Sequence, residues 1–219
     1  MIQLYKRMQR MREKYVDTLA KLYEYATTVY SKNQYTQWYD TKKGGYTYGS
    51  FKSKCDSLSK KLTQYGIGAG DKVAILSQSM PNWSVAFFSV VPFGRIAIPI
   101  LPDSSENEVT NIINHSESKV IFVSQKLAGK VCQQVRDKMT LIIDIDTFEV
   151  LKSDDEKFTC DGHTVIPTPD DIATIIYTSG TTGSAKGVVL SHRNLSSNVI
   201  TCYHACKRTE KDRWLSVLP

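Results

Sequence analysis

The chain has 219 residues, 41% of them hydrophobic and 23% charged, which fits one or two packed domains and excludes collagen-like, mucin-like and wholly disordered classes. Lys and Arg number 28 against 22 Asp and Glu. The resulting net charge of +6 suits polyanionic ligands as well as it suits ordinary solubility.

In chain order, Leu4, Met8, Met11, Tyr15, Leu19, Leu22, Ala26 and Val29 recur every three or four residues and predict one long or two shorter helices up to about Tyr30. The early charges Lys6, Arg7, Arg10 and Arg12 break the apolar core that a secretory signal needs. The stronger reading of this basic amphipathic start is docking on the protein's own body; peripheral contact with a membrane surface is the other. Tyr35 to Asp40 and Tyr46 to Tyr48 flank Gly44 and Gly45 as a small hairpin, and a helix should run from Phe51 to about Tyr65.

From Asp71 the pattern alternates. Strands are expected at Val73 to Leu76, Ile96 to Ile100, Val120 to Val123 and Leu141 to Ile145, with helices from Pro81, from Ser105, and near Lys126 to Lys138. Pro81 suits a first helical position, and Ser105 with Glu108 makes a capping box. Near-continuous hydrophobic strands separated by helices predict an α/β fold with largely parallel sheets and helices on both faces. The longest apolar runs, Val85 to Phe93 and Arg95 to Leu101, are interrupted by Pro92, Gly94 and Pro99 and fall short of the roughly 20 residues needed to span a bilayer.

Residues 151 to 170 are polar and hold Pro167 and Pro169, as a surface connection would. Ile172 to Tyr177 and Val188 to Leu190 are expected strands, and Ser191 should cap a helix from His192. Arg213 to Leu218 reads as a core strand without a following turn or polar tail, so the chain is expected to be a fragment.

The stretch Tyr177 to Gly187 reads YTSGTTGSAKG. Thr178, Ser179, Thr181, Thr182 and Ser184 supply hydroxyls, Gly180, Gly183 and Gly187 supply conformational freedom, and Lys186 supplies a mobile cation. Glycines at positive φ let successive N–H groups converge on one anion, and each charge-assisted bond is worth about 1.5–3 kcal/mol net. A Walker A loop is excluded. Counting from Gly180, Ala185 stands where its second glycine belongs, Gly187 replaces its metal-holding hydroxyl, and the residues after Lys186 favour a strand over a helix.

YTSGTTGSAKG resembles the signature of the adenylate-forming superfamily, which includes acyl-CoA synthetases, firefly luciferase and nonribosomal peptide adenylation domains. Only Ala185 departs, where the family usually has proline; no phosphate ligand is lost, because proline has no N–H. The surrounding TPDDIATIIYTSGTTG, VVLSHRNL, INHSESKVIFVS and DRWLSVLP are most similar to long-chain fatty-acid CoA ligases. The pattern divides the chain into N-terminal helices and a hairpin (1–70), an α/β subdomain (71–150), a surface connection (151–170) and a last segment (171–219) that the resemblance implies is the start of an AMP-binding subdomain.

The resemblance implies activation of a fatty acid by ATP and Mg2+ to an acyl-adenylate, then transfer to coenzyme A. Thr178, Ser179, Gly180, Thr181, Thr182, Gly183 and Lys186 would hold the phosphates, and Lys186 would stabilise the transition state. Two unit charges 4 Å apart repel by about 4 kcal/mol at an effective dielectric near 20, so these donors have a definite task. The family also carries a His-containing acyl-site stretch, a Glu for adenine and magnesium, an Asp for the ribose, a hinge and a mobile lysine domain. None of these matches a segment of the 219 residues. The implied fragment would be inactive alone, and a non-catalytic interaction module derived from such an enzyme is the alternative.

Five unevenly spaced cysteines argue against a disulfide framework and for a reducing cytoplasm. Cys202 and Cys206 share a helix face with His204 between them, which favours core packing over a zinc site. His192 is expected to help start its helix, and His115 and His163 have no local context. Asp144 and Asp146 read as a solvated pair at a strand end. Nucleic-acid binding is disfavoured, because the positive charge is spread out and no recognition motif is present.

Overall fold

The structure, a computed structural model, describes residues 16–38, 44–154, 162–178, 186–206 and 212–214. Helix α1 (Leu19–Val29) begins at Thr18, whose hydroxyl accepts from the Lys21 amide, and turns Leu19, Tyr23 and Thr27 inward at helical spacing. Tyr23 stacks on Phe88 and meets Phe51 edge-on, so this helix docks on the body of the protein. The apolar positions before residue 16 lie outside the described residues.

Strands β1 (Gln34–Thr36) and β2 (Tyr46–Thr47) form the expected antiparallel hairpin. Gly45 sits at φ 87°, and a Cβ there would fall 1.9 Å from the Thr36 carbonyl oxygen, so only glycine fits. Helix α2 (Tyr48–Gln64) starts at Tyr48 rather than Phe51, because Thr47 caps it directly from the end of β2.

The larger sheet is built from β3 (Lys72–Leu76), β4 (Ile96–Ile100), β5 (Val120–Val123), β6 (Leu141–Asp144), β7 (Val150–Ser153), β8 (Ile172–Thr178) and β9 (Lys186–Ser191). Its order is β7-β6-β5-β3-β4-β8-β9, parallel from β6 through β8 with an antiparallel strand at each edge. Helices α3 (Pro81–Val90), α4 (Glu106–Ser116), α5 (Gln133–Lys138) and α6 (His192–Ala205) follow β3, β4, β5 and β9. The strand period of two divides the core. Val73 and Ile75 of β3 join α1, α2 and α3 on one face, while Ala74 and Leu76 join α4 and α5 on the other. Helices therefore cover both faces, as the hydrophobic strands predict.

The capping box of Ser105 and Glu108 is present at the start of α4. The single helix expected near Lys126 to Lys138 is instead a 3-10 segment (Gln125–Lys130) followed by α5. Arg136 closes the break by donating to the Val131 and Ala128 carbonyls. Strand β7 arises in a stretch expected to be a connection; its alternating half-exposed pattern is that of an edge strand.

Asp144 corrects the expectation of a solvated carboxylate pair. It is 3% exposed and accepts from the Asp146 amide, Thr147 Oγ1 and Gln125 Nε2, closing the turn between β6 and β7. Asp146 in turn accepts from the Gln125 amide. Cys202 and Cys206 are a second correction: with His204 they are exposed, because α6 buries only His192 and Ser196, both near its start. Cys55, Cys132, Cys202 and Cys206 are free thiols. Of the expected Arg213 to Leu218 strand, only residues 213 and 214 are described, and they are not in a strand. No helix among the described residues is long and apolar enough to cross a membrane.

Arg95, just before β4, is fully buried. Its guanidinium donates to the Ile67 and Ser59 carbonyls, to Ser59 Oγ at 2.8 Å and to Thr63 Oγ1 at 2.7 Å. Burial pushes its pKa down to about 10, with Asp71 opposing the shift, so it stays cationic at neutral pH. A cation therefore caps the carboxyl end of α2, where the helix dipole and orphan carbonyls favour positive charge.

Candidate phosphate-binding site

The parallel strands β3, β4, β5, β6 and β8 all end at one edge of the sheet, and the carboxyl edge is where open α/β sheets bind ligands. Thr178 is the last residue of β8 and lies at that edge. Strand β8 is fixed beside β4 by Thr174, whose hydroxyl donates to the Ala97 carbonyl at 2.8 Å. Lys186 is the first residue of β9 and is the register partner of Thr178 in the antiparallel ladder. The structure thus brings Thr178 and Lys186 face to face across one rung, both exposed to solvent. Ser179, Gly180, Thr181, Thr182 and Gly183 lie outside the described residues. A strand, not a helix, follows Lys186, so no helix dipole stands directly behind the lysine as in a Walker A loop.

The base of this hairpin is held from two sides. At the far end of β9, Ser191 and Asn194 form a capping box that starts α6. His192 is fully buried there, and its Nδ1 accepts from the Leu19 amide at 3.2 Å, joining α6 to the first turn of α1. Burial lowers the His192 pKa while Asp171 opposes the shift, which favours the neutral imidazole that this acceptor role requires. Its helix-starting role is as expected; its tie to α1 is not visible in sequence. Near the loop, Tyr177 is buried and its Oη lies 2.7 Å from Nδ1 of His115, a residue that has no local context in the sequence. The signal was a lone histidine in a helix far along the chain, and only the crossing of α4 over the sheet makes it a neighbour. His163 acts through its backbone, its carbonyl accepting from Ala69.

A family model described as AMP-binding enzyme matches residues 25–219. The chain belongs to that family. Its relatives include fatty acyl-CoA synthetase A of Dictyostelium discoideum, 28% identical over 180 residues, which span 73% of this chain and 27% of the relative. Another is the peroxisomal long chain acyl-CoA synthetase 6 of Arabidopsis thaliana, 27% identical over 191 residues, 79% of this chain and 27% of the relative. Among solved structures, a fatty acyl-adenylate ligase of L. pneumophila in complex with acyl adenylate and pyrophosphate shares the fold with a TM-score of 0.70 at 21% identity. That match covers 88% of this chain and 33% of the ligase. The chain thus spans about a quarter to a third of the length of these three relatives.

Proposed function

We propose that this AMP-binding chain is the N-terminal part of an enzyme that activates a carboxylic acid, a long-chain fatty acid in particular, for transfer to coenzyme A. A carboxylate oxygen attacks the α-phosphorus of Mg-ATP, the bond to the β-phosphate breaks, and pyrophosphate leaves. The thiol of coenzyme A then attacks the acyl carbon, AMP leaves, and a thioester forms. Thr178, Ser179, Gly180, Thr181, Thr182 and Gly183 hold the phosphates, and Lys186 offsets the charge that gathers on the departing pyrophosphate. Magnesium enters this reading as part of the Mg-ATP substrate.

The observation that carries this reading is that Thr178 and Lys186, which flank the hydroxyl- and glycine-rich sequence SGTTGSA, are register partners at the carboxyl edge of the sheet. Apolar side chains left exposed on the last two strands, Ile172, Ile176, Val188 and Val189, support a larger parent protein that covers them. Free thiols fit a reducing compartment, and we place the enzyme in the cytoplasm.

The test is exchange of labelled pyrophosphate into ATP. The full-length protein catalyses it when supplied with a long-chain fatty acid and Mg2+, and the 219-residue chain alone does not. Robust exchange by the short chain would show that it holds a whole site. No exchange by the full-length protein with any acid, together with retained nucleotide binding, would favour a non-catalytic interaction module.

A further inference from the structure

Tyr177 sits next to the exposed residues Ile176 and Thr178, yet it is 7% exposed. Strand alternation turns its side chain to the opposite face, where it joins the core with Leu76, Ile98 and Val109, and two further contacts set its position. Its ring lies against Gly187, its register partner on β9: a Cβ built at Gly187 would come 3.3 Å from Tyr177 Cζ and 2.9 Å from Ile175 Cγ2. At its other end the phenol oxygen is 2.7 Å from His115 Nδ1 in the last turn of α4, with the two rings edge-to-face at 5.6 Å. His115 is itself exposed, so it adds little to core packing. Its polar contact with Tyr177 therefore falls one residue before the rung from which the phosphate loop departs.

We propose that His115 is a positioning residue for the phosphate loop: it holds the Tyr177 phenol across Gly187 and so fixes the Thr178–Lys186 rung in the orientation that meets ATP. The inference rests on the reading that this loop binds the polyphosphate of ATP. Core packing holds the body of the ring, and the bond to His115 fixes its polar end; without that bond the end beside Gly187 can shift and the neighbouring rung samples other directions.

The test uses the full-length protein with His115→Leu, His115→Asn, Tyr177→Phe and the double variant His115→Leu/Tyr177→Phe. Asparagine places a δ atom where His115 Nδ1 sits, so it can keep the bond; leucine cannot. His115→Leu and Tyr177→Phe are each expected to raise the KM for ATP in pyrophosphate exchange by roughly fivefold to tenfold, and the double variant by no more, because both remove one shared interaction. His115→Asn restores most of the loss, and melting temperatures stay close to wild type. Multiplying effects in the double variant, or an asparagine no better than leucine, overturns the proposal.

Amide hydrogen exchange without nucleotide separates this inference from the function it rests on. His115→Leu and Tyr177→Phe should speed exchange at the loop ends of β8 and β9 by the same factor, and the double variant by no more. Wild-type protein that fails to adenylate any acid refutes the function while this comparison still reads the contact; unchanged exchange in both single variants refutes the contact's role.

Discussion

Replacing Lys186 with alanine in the full-length protein lowers the rate of adenylation by about 10²–10³-fold, the loss seen when one preorganised donor to a developing charge is removed. On the proposed role of Lys186, the effect falls on the chemistry. Lys186 is exposed at the first position of β9, opposite Thr178 and at the carboxyl edge of the sheet. The two negative partners, carboxylate and triphosphate, repel before they react, and pyrophosphate carries more charge as it leaves. A cation that meets this charge lowers the barrier more than it lowers the energy of bound ATP, so kcat falls more than KM rises. An exposed strand residue contributes within about 0.5 kcal/mol to stability, so the variant should melt with the wild type. Stopped-time assay of acyl-adenylate formation checks this, and unchanged kinetics would remove Lys186 from the site.

Arg95→Ala is expected to have the largest effect on stability, about 3–5 kcal/mol, from the cavity left by a fully buried side chain and from acceptors that lose their donors. Those acceptors are the Ile67 and Ser59 carbonyls and the hydroxyls of Ser59 and Thr63, all at or beyond the last turns of α2. Helix α2 packs through Phe51, Leu58 and Leu62 into the same core as β3 and β5, so loosening its end opens that face of the sheet. With a domain's total stability at about 5–15 kcal/mol, the loss is a large share of it. Arg95→Lys keeps the charge but not the fork of donors and should recover only part of the loss. Urea titration measures both variants; a change below about 1 kcal/mol for alanine would show that water replaces the guanidinium at no cost.

The strands were legible because buried parallel strands are apolar without interruption, and Ile96 to Ile100 and Val120 to Val123 begin and end as their hydrophobic runs do. Local chemistry marked the helix starts: proline at the first position of α3, and caps between residues three apart at Ser105 and Ser191. What sequence hid depends on contacts between distant segments. The break before α5 is bridged by Arg136, and Asp144 is buried because Gln125 and Thr147 reach it. The partner of His115 is Tyr177, and the partner of His192 is the Leu19 amide. In the candidate site, the hydroxyls, glycines and lysine are local and visible in YTSGTTGSAKG; the groups that meet the flanking strands and helix from afar, the Leu19 amide of α1 at His192 and the His115 side chain of α4 at Tyr177, are not.

The most direct test follows one oxygen atom. The full-length protein is given a long-chain fatty acid labelled with oxygen-18 in its carboxylate, together with Mg-ATP and coenzyme A, and the products are weighed by mass spectrometry. If a carboxylate oxygen attacks the α-phosphorus, one heavy oxygen remains with AMP and none enters pyrophosphate. Formation of ADP and phosphate, or AMP without the label, would contradict adenylation at this site.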